Sequence, residues 1–411
     1  PYSSTRAYTL VINAAVPGAP TIGTATPGNG QATIAFTAPA SNGGSAITGY
    51  TVTCNAGGFT ATGLTSPLTV TGLTNGTAYT CSVVATNAAG PSAASATVAV
   101  TPYTVPGAPT IGTATPGNGQ ATIAFTAPAS NGGSAITGYT VTCNAGGFTA
   151  TGLTSPLTVT GLTNGTAYTC SVVATNAAGP SVASATVAVT PYTVPGAPTI
   201  GTATPGNGQA TIAFTAPASN GGSAITGYTV TCNAGGFTAT GLTSPLTVTG
   251  LTNGTAYTCS VVATNAAGPS VASATVAVTP ATVPDAPTIG VVTPANGLVA
   301  VSFTAPGYNG GAAITSFRAT CTAPSLSSVG VSVSGSSSPI TVGGLQNGVT
   351  YFCSVVAINS AGTSAASAAV AIALPPIVVP LTIAPLQSIL LVFLAVLALY
   401  RRGRRVTVGT V

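Results

Sequence analysis

Alternation of apolar and polar positions governs this chain, and it is clearest between Leu73 and Gly90, LTNGTAYTCSVVATNAAG. After the turn Thr74-Asn75-Gly76, the side chains of Tyr79, Cys81, Val83 and Ala85 fall on one face. Those of Thr80, Ser82, Val84 and Thr86 fall on the other, and Asn87-Ala88-Ala89-Gly90 closes the segment with a second turn. A period of two bounded by turn residues predicts a half-buried β-strand. The same reading predicts seven strands in the surrounding stretch: Thr21–Thr26, Ala32–Thr37, Thr48–Cys54, Phe59–Thr62, Leu68–Thr71, Tyr79–Thr86 and Thr97–Thr101. Clusters of Gly, Pro and Asn separate them. Seven short strands at this spacing imply an antiparallel two-sheet sandwich.

The pattern recurs with a period of 89 residues, at Val16, Val105, Val194 and Val283. A fixed period of this kind signals an array of like units. The first two copies differ only at Ala93 against Val182, and the third also carries Ala281 where the second has Tyr192. The fourth is divergent and holds five extra residues between its cysteines, in the segment Ser325–Ser338. The expected domains are therefore 16–104, 105–193, 194–282 and 283–374. Residues 1–15 contain one alternating run, Tyr8–Asn13, which reads as the closing strand of an upstream sandwich or as an unstructured leader, since a lone strand is not stable alone. The linkers, such as Thr101-Pro102-Tyr103-Thr104-Val105-Pro106, carry two prolines that favour extended chain and a semi-rigid connection. Four units in line, each roughly ten strand residues or about 35 Å long, span on the order of 140 Å.

Charge is almost absent. All six basic residues are arginines, Asp285 is the only acid, and there is no His. Between Val16 and Thr282 only tyrosines and cysteines are ionisable. The 52 glycines and 32 prolines would suit a low-complexity linker, but an apolar fraction of 45% set in regular alternation allows a packed core. The chain contains no Met, so it is expected to be a fragment or a processed product. Eight cysteines fall as one pair per unit, with none left over, which fits an oxidising compartment.

Several stretches recur in order and spacing: Pro17/Pro20, ATIAFTAP at Ala32–Pro39, ITGYTV at Ile47–Val52, LTNGTAY at Leu73–Tyr79 and ATNAAG at Ala85–Gly90. On these motifs each unit resembles a bacterial fibronectin type III domain, over Val16 to about Leu374. The resemblance implies an all-β tandem array of seven-stranded, immunoglobulin-like antiparallel sandwiches. Phe36 stands where that family usually has a tryptophan, and Asn75 replaces the usual proline ahead of Tyr79, which is expected to keep its tyrosine corner. In the implied fold the strands of Tyr50–Cys54 and Tyr79–Thr86 are neighbours in one sheet. The resemblance thus implies disulfides Cys54–Cys81, Cys143–Cys170, Cys232–Cys259 and Cys321–Cys353, the other reading being buried reduced thiols.

The tail changes character at Leu374. A proline-rich lead, 375–380, precedes twenty mostly apolar residues, Leu381–Tyr400, enough for about 30 Å of helix. Arg401, Arg402, Arg404 and Arg405 follow in the basic tail 401–411 and predict a cytoplasmic C-terminus for a membrane-spanning helix at 381–400. Lead, span and arginines resemble the C-terminal sorting signals of Gram-negative surface proteins of the PEP-CTERM and IPTL-CTERM class. A permanent single-pass anchor is the plainer reading.

The chain offers little chemistry. Hydrolytic, acid–base and metal catalysis need titratable or ligating groups at close quarters, and a chain without His, Glu or Lys assembles no dyad or triad. Two cysteines per unit are too few for structural zinc. No catalytic residue, cofactor, metal ligand or small-molecule substrate site is expected. Nucleic acid is not an expected partner either, since the one arginine cluster flanks the predicted span. Asn75-Gly76-Thr77 and its copies at Asn164 and Asn253 read as preferred turns ahead of glycosylation sequons. Outward Thr51, Thr53, Thr80 and Thr86 read as β-formers that keep a charge-free face wet, ahead of an ice-binding or self-stacking surface. The expected role is a passive, disulfide-stabilised stalk of an adhesin-type cell-surface protein. The alternative is the non-catalytic spacer of a secreted or surface-anchored enzyme acting on polysaccharide. Adhesion to an unidentified protein or polysaccharide through the fourth unit, around Arg318 and Ser325–Ser338, is a third reading.

Overall fold

The structure is a computed structural model that describes residues 5–8, 13–54, 58–143, 147–233, 236–326 and 330–378. The expected span at 381–400 and its arginines lie outside the described residues, as does most of the run 8–13. Among the described residues no helix is long and apolar enough to cross a membrane.

Each of the four units is a two-sheet sandwich. In the first, the strands are β1 (Thr21–Gly28), β2 (Gln31–Thr37), β3 (Gly49–Cys54), β4 (Phe59–Gly63), β5 (Leu68–Thr71), β6 (Tyr79–Asn87), β7 (Gly90–Pro91) and β8 (Val98–Val100). One sheet has the order β1-β2-β5. The other runs β4-β3-β6-β7, with β8 also paired to β6. All of these pairings are antiparallel. Between the sheets lies a closed core that includes Ile34, Val52, Val70, Cys81 and Val83, each fully buried. β6 alternates buried and less buried positions along its length, as its period of two requires.

The position where the family usually has tryptophan is filled by Phe36, whose ring lies 4.8 Å from that of Tyr50 at a tilt of 48°. A second ring pair, Phe59 on Tyr79, meets edge to face at 5.8 Å. Edge-to-face contact suits the ring quadrupole. The fourth unit keeps the first pair as Phe303–Phe317 and has Val331 facing Cys321 where the other copies set a phenylalanine against cysteine.

The strand expected at Thr97–Thr101 is present as β8, Val98–Val100, paired in unbroken register to β6. The sequence reading misses a further short piece, β7, which pairs with β6 ahead of it and makes eight strands per unit. Between the two pieces, Ser92 and Ser95 take over the ladder. The Ser92 amide donates to the Ala85 carbonyl at 2.8 Å, while the Ser92 hydroxyl accepts from the Ala85 amide at 3.0 Å. Ser95 does the same with Val83, at 3.0 Å both ways. A serine hydroxyl thus stands in for a strand carbonyl, so the chain bows away from β6 with the buried amides of β6 still satisfied.

The fourth unit closes further along than its strands suggest. Leu374 is 2% exposed, donates its amide to Val349 and accepts from the Gly348 amide. The fold therefore includes the residue at which the composition changes.

Candidate functional site

Among the described residues, those singled out by the sequence form no metal-binding cluster, and the cysteines, the tyrosine corner and the Asn turns take mechanical positions. Cys54 and Cys81 face one another in register on β3 and β6, and the structure joins them with an S–S distance of 2.05 Å. The equivalent bonds are Cys143–Cys170, Cys232–Cys259 and Cys321–Cys353. Each ties neighbouring strands of a single sheet, and Cys54 and Cys81 are both fully buried.

The turn leading into β6 is held from both sides. The Tyr79 hydroxyl accepts the Thr74 amide at 3.0 Å, which is the tyrosine corner, and it recurs at Tyr168, Tyr257 and Tyr351. Asn75 is half-buried. Its Oδ1 accepts the Gly30 amide at 2.8 Å and its Nδ2 donates to Asn29 Oδ1 at 2.8 Å. The amide nitrogen that a glycan would need is therefore engaged in tying this turn to the β1–β2 turn. Asn164 and Asn253 make the same pair of bonds.

At the far end of β6, buried Asn87 holds three segments. Its Nδ2 donates to the Ala15 and Asn42 carbonyls, each at 2.7 Å, and its Oδ1 accepts the Ala89 amide at 2.9 Å. In the later units Asn176, Asn265 and Asn359 bond in the same way to Thr104, Thr193 and Thr282 of the preceding linkers. Sequence reading treats Asn87 only as a turn former. Its recurrence as Asn359 in the divergent copy, along with Ser364 and Ser367, is the signal that could have found these residues.

The outward face of β3, β4 and β6 sets Thr51 opposite Thr62, Thr53 opposite Thr60, and Thr53 opposite Ser82. Arg318 is exposed in the equivalent sheet of the fourth unit, where Thr320 and Ser332 share a hydrogen bond of 2.8 Å. Residues 327–329 of the serine-rich insertion lie outside the described residues. A groove of 730 Å³ lies between the third and fourth units, among Asn207, Ala281 and Gly311, and no ionisable side chain lines it. Among the described residues no three His, Cys, Asp or Glu side chains gather. The arrangement of the described residues can brace and space, and it gathers no metal-binding cluster.

These features define a class: serially joined, disulfide-braced β-sandwich modules. The fibronectin type III domain matches the chain at residues 18–101, 107–190, 196–279 and 285–373, and the chain belongs to that family. It is 36% identical over 267 residues to exoglucanase B of Cellulomonas fimi, covering 61% of this chain and 24% of that enzyme. It is also 36% identical over 181 residues to chitinase A1 of Niallia circulans, covering 40% of this chain and 25% of the enzyme. The chain thus spans about a quarter of the length of these curated relatives. A solved structure, that of chicken CNTN1 FN1–FN3 domains, matches 66% of the chain at 17% identity and a TM-score of 0.30.

Proposed function

We propose that these repeats are the non-catalytic, extracellular spacer of a protein that acts on an insoluble polysaccharide. The observation that carries this reading is the likeness to two proteins named as an exoglucanase and a chitinase, each over only about a quarter of its length. Chemistry within the repeats agrees with it. The proposal places catalysis in a different part of the protein, with the repeats setting how far that part stands from whatever lies beyond them. The one disulfide per module suits an oxidising, extracellular setting, where an unattended protein must resist unfolding and proteolysis.

The test is retention. The 411-residue chain is mixed with crystalline cellulose and with chitin, sedimented and assayed in the supernatant. A spacer stays in the supernatant. Saturable retention by the repeats would overturn the spacer reading and make them a carbohydrate-binding module.

A second reading keeps the same stalk on a cell surface. The apolar segment 381–400 followed by Arg401, Arg402, Arg404 and Arg405 favours it, as an anchor or a cleaved sorting signal. Membrane fractionation of the native host protein, with and without residues 381–411, decides between the two settings.

A further inference from the structure

The linkers between repeats are bonded on both sides. At the first junction the Gly76 amide donates to the Pro102 carbonyl at 2.9 Å, and the Tyr103 amide donates to the Gly28 carbonyl at 3.2 Å. Both bonds hold the linker to the repeat that precedes it. One residue later the allegiance changes. The Thr104 amide donates to Gly132 at 2.8 Å, and the Thr104 carbonyl accepts from Asn176 Nδ2 at 2.7 Å, both in the repeat that follows. The handover therefore occurs across the single step from Tyr103 to Thr104, with no free run of linker between.

The other two junctions copy these bonds. Gly165 donates to Pro191, Tyr192 to Gly117 and Thr193 to Gly221; then Gly254 donates to Pro280, Ala281 to Gly206 and Thr282 to Gly310. The replacement of tyrosine by Ala281 changes nothing, because main-chain atoms make these linker bonds.

A direct backbone contact completes each junction. The Asn75-Gly76 turn of the first repeat abuts Gly133 of the second. A Cβ built on Gly133 would lie 2.4 Å from the Gly76 nitrogen, and one on Gly76 would lie 3.1 Å from the Gly133 Cα. The contact recurs between Gly165 and Gly222 and between Gly254 and Gly311, at 2.4 Å to the nitrogen in each case. The equivalent glycines without a described neighbouring repeat, Gly44 and Gly348, have nothing within 4 Å of such a Cβ. Backbone apposed to backbone leaves no side chain to adapt, so the approach of the two repeats is fixed at short range.

We infer that each Asn-Gly turn and the Gly-Gly loop of the next repeat form a docking surface that locks neighbouring repeats at a constant angle. The array is then a stepped rod, in which every junction applies the same rotation. Its reach grows in proportion to the number of repeats, whereas modules on flexible linkers gain reach only as about the square root of linker length. This rests on the spacer reading for its purpose, and its geometry is tested separately from that reading.

The probe is small-angle X-ray scattering of the 411-residue chain. The unaltered protein should give an elongated pair-distance distribution with regular maxima at the module spacing. A triple variant, Gly133→Ala, Gly222→Ala and Gly311→Ala, should lose those maxima and shorten in maximum dimension. The control is Gly44→Ala with Gly348→Ala. These residues share the left-handed backbone, with φ of 81° and 77°, and so bear the strain of an added Cβ without an inter-repeat clash. The control should keep the unaltered profile. A second perturbation that leaves both sandwiches intact inserts Gly-Ser between Tyr103 and Thr104 and at the two equivalent steps, and it too should abolish the maxima. A smooth, flexible-chain profile from the unaltered protein would overturn the inference. So would an unchanged profile after the Gly-Ser insertions. Retention on cellulose would sink the spacer reading while leaving the rod in place.

Discussion

The hydroxyl of Ser95 accepts the amide of Val83 at 3.0 Å, and the Ser95 amide returns a bond of 3.0 Å to the Val83 carbonyl. Here a side chain completes a β-ladder that the backbone alone does not. Val83 is fully buried and Ser95 half-buried, so removing the hydroxyl takes away the protein partner of the Val83 amide. Ser95→Ala should therefore destabilise the first repeat by about 1–3 kcal/mol, the penalty for an unsatisfied buried donor. Chemical denaturation of the isolated first repeat, compared with Ser95→Ala, measures it. An unchanged midpoint would show that the bond contributes nothing.

The tyrosine corner gives a smaller effect. Tyr79→Phe keeps the ring against Phe59 and removes only the acceptor for Thr74. The loss should be about 1 kcal/mol, the net worth of one hydrogen bond. Thermal unfolding followed by near-ultraviolet circular dichroism reads it directly.

The disulfides should stabilise each repeat by about 3 kcal/mol relative to the unbridged chain, on the loop-closure estimate for a loop of this length. Replacing Cys54 and Cys81 by alanine together should lower the stability of the first repeat by that amount. Iodoacetamide should add no mass to the unreduced, denatured protein. Reduction beforehand should expose all eight cysteines to alkylation.

Asn164 should remain unglycosylated when the chain is secreted from a eukaryotic host. Its Nδ2 is bonded to Asn118, its Oδ1 accepts from Gly119, and Gly165 beside it packs on Gly222. Intact-mass analysis before and after deglycosylation tests this. A glycan at Asn164 would mean that the turn is modified before it closes.

The dimensions of the array should be nearly independent of ionic strength. Residues 16–282 carry no Asp, Glu, Lys or Arg, so there is little charge to screen. Scattering at low and at high salt should superimpose, and strong compaction at high salt would contradict the expectation.

Much of the fold was legible in the sequence. The 89-residue period, the alternation in Tyr79–Thr86 and the turn clusters placed most strands within a residue or two. Cys54 and Cys81 share a face with Val52 and Val83 by period alone, and those faces are the buried ones. The family's usual residues at Phe36 and Asn75 were absent, yet the ring contact and the tyrosine corner persist. Shape-compatible substitutes suffice there, since packing asks for a ring and the corner asks only for the phenolic hydroxyl.

The sequence by itself thus determined the module, its number and its scarcity of charged side chains, because local periodicity and composition are written residue by residue. The extra strand β7 and its link to β8 were decided only in three dimensions, where the Ser92 and Ser95 hydroxyls accept from β6 amides 7 and 12 residues away. Tertiary structure alone also turned Asn75 and Asn176 from turn residues into ties, through partners 45 and 72 residues distant. The joint between Gly76 and Gly133 is of the same kind. A glycine reads identically whether it merely permits a turn or leaves room for a neighbouring backbone, and only the placement of two folded repeats distinguishes those roles.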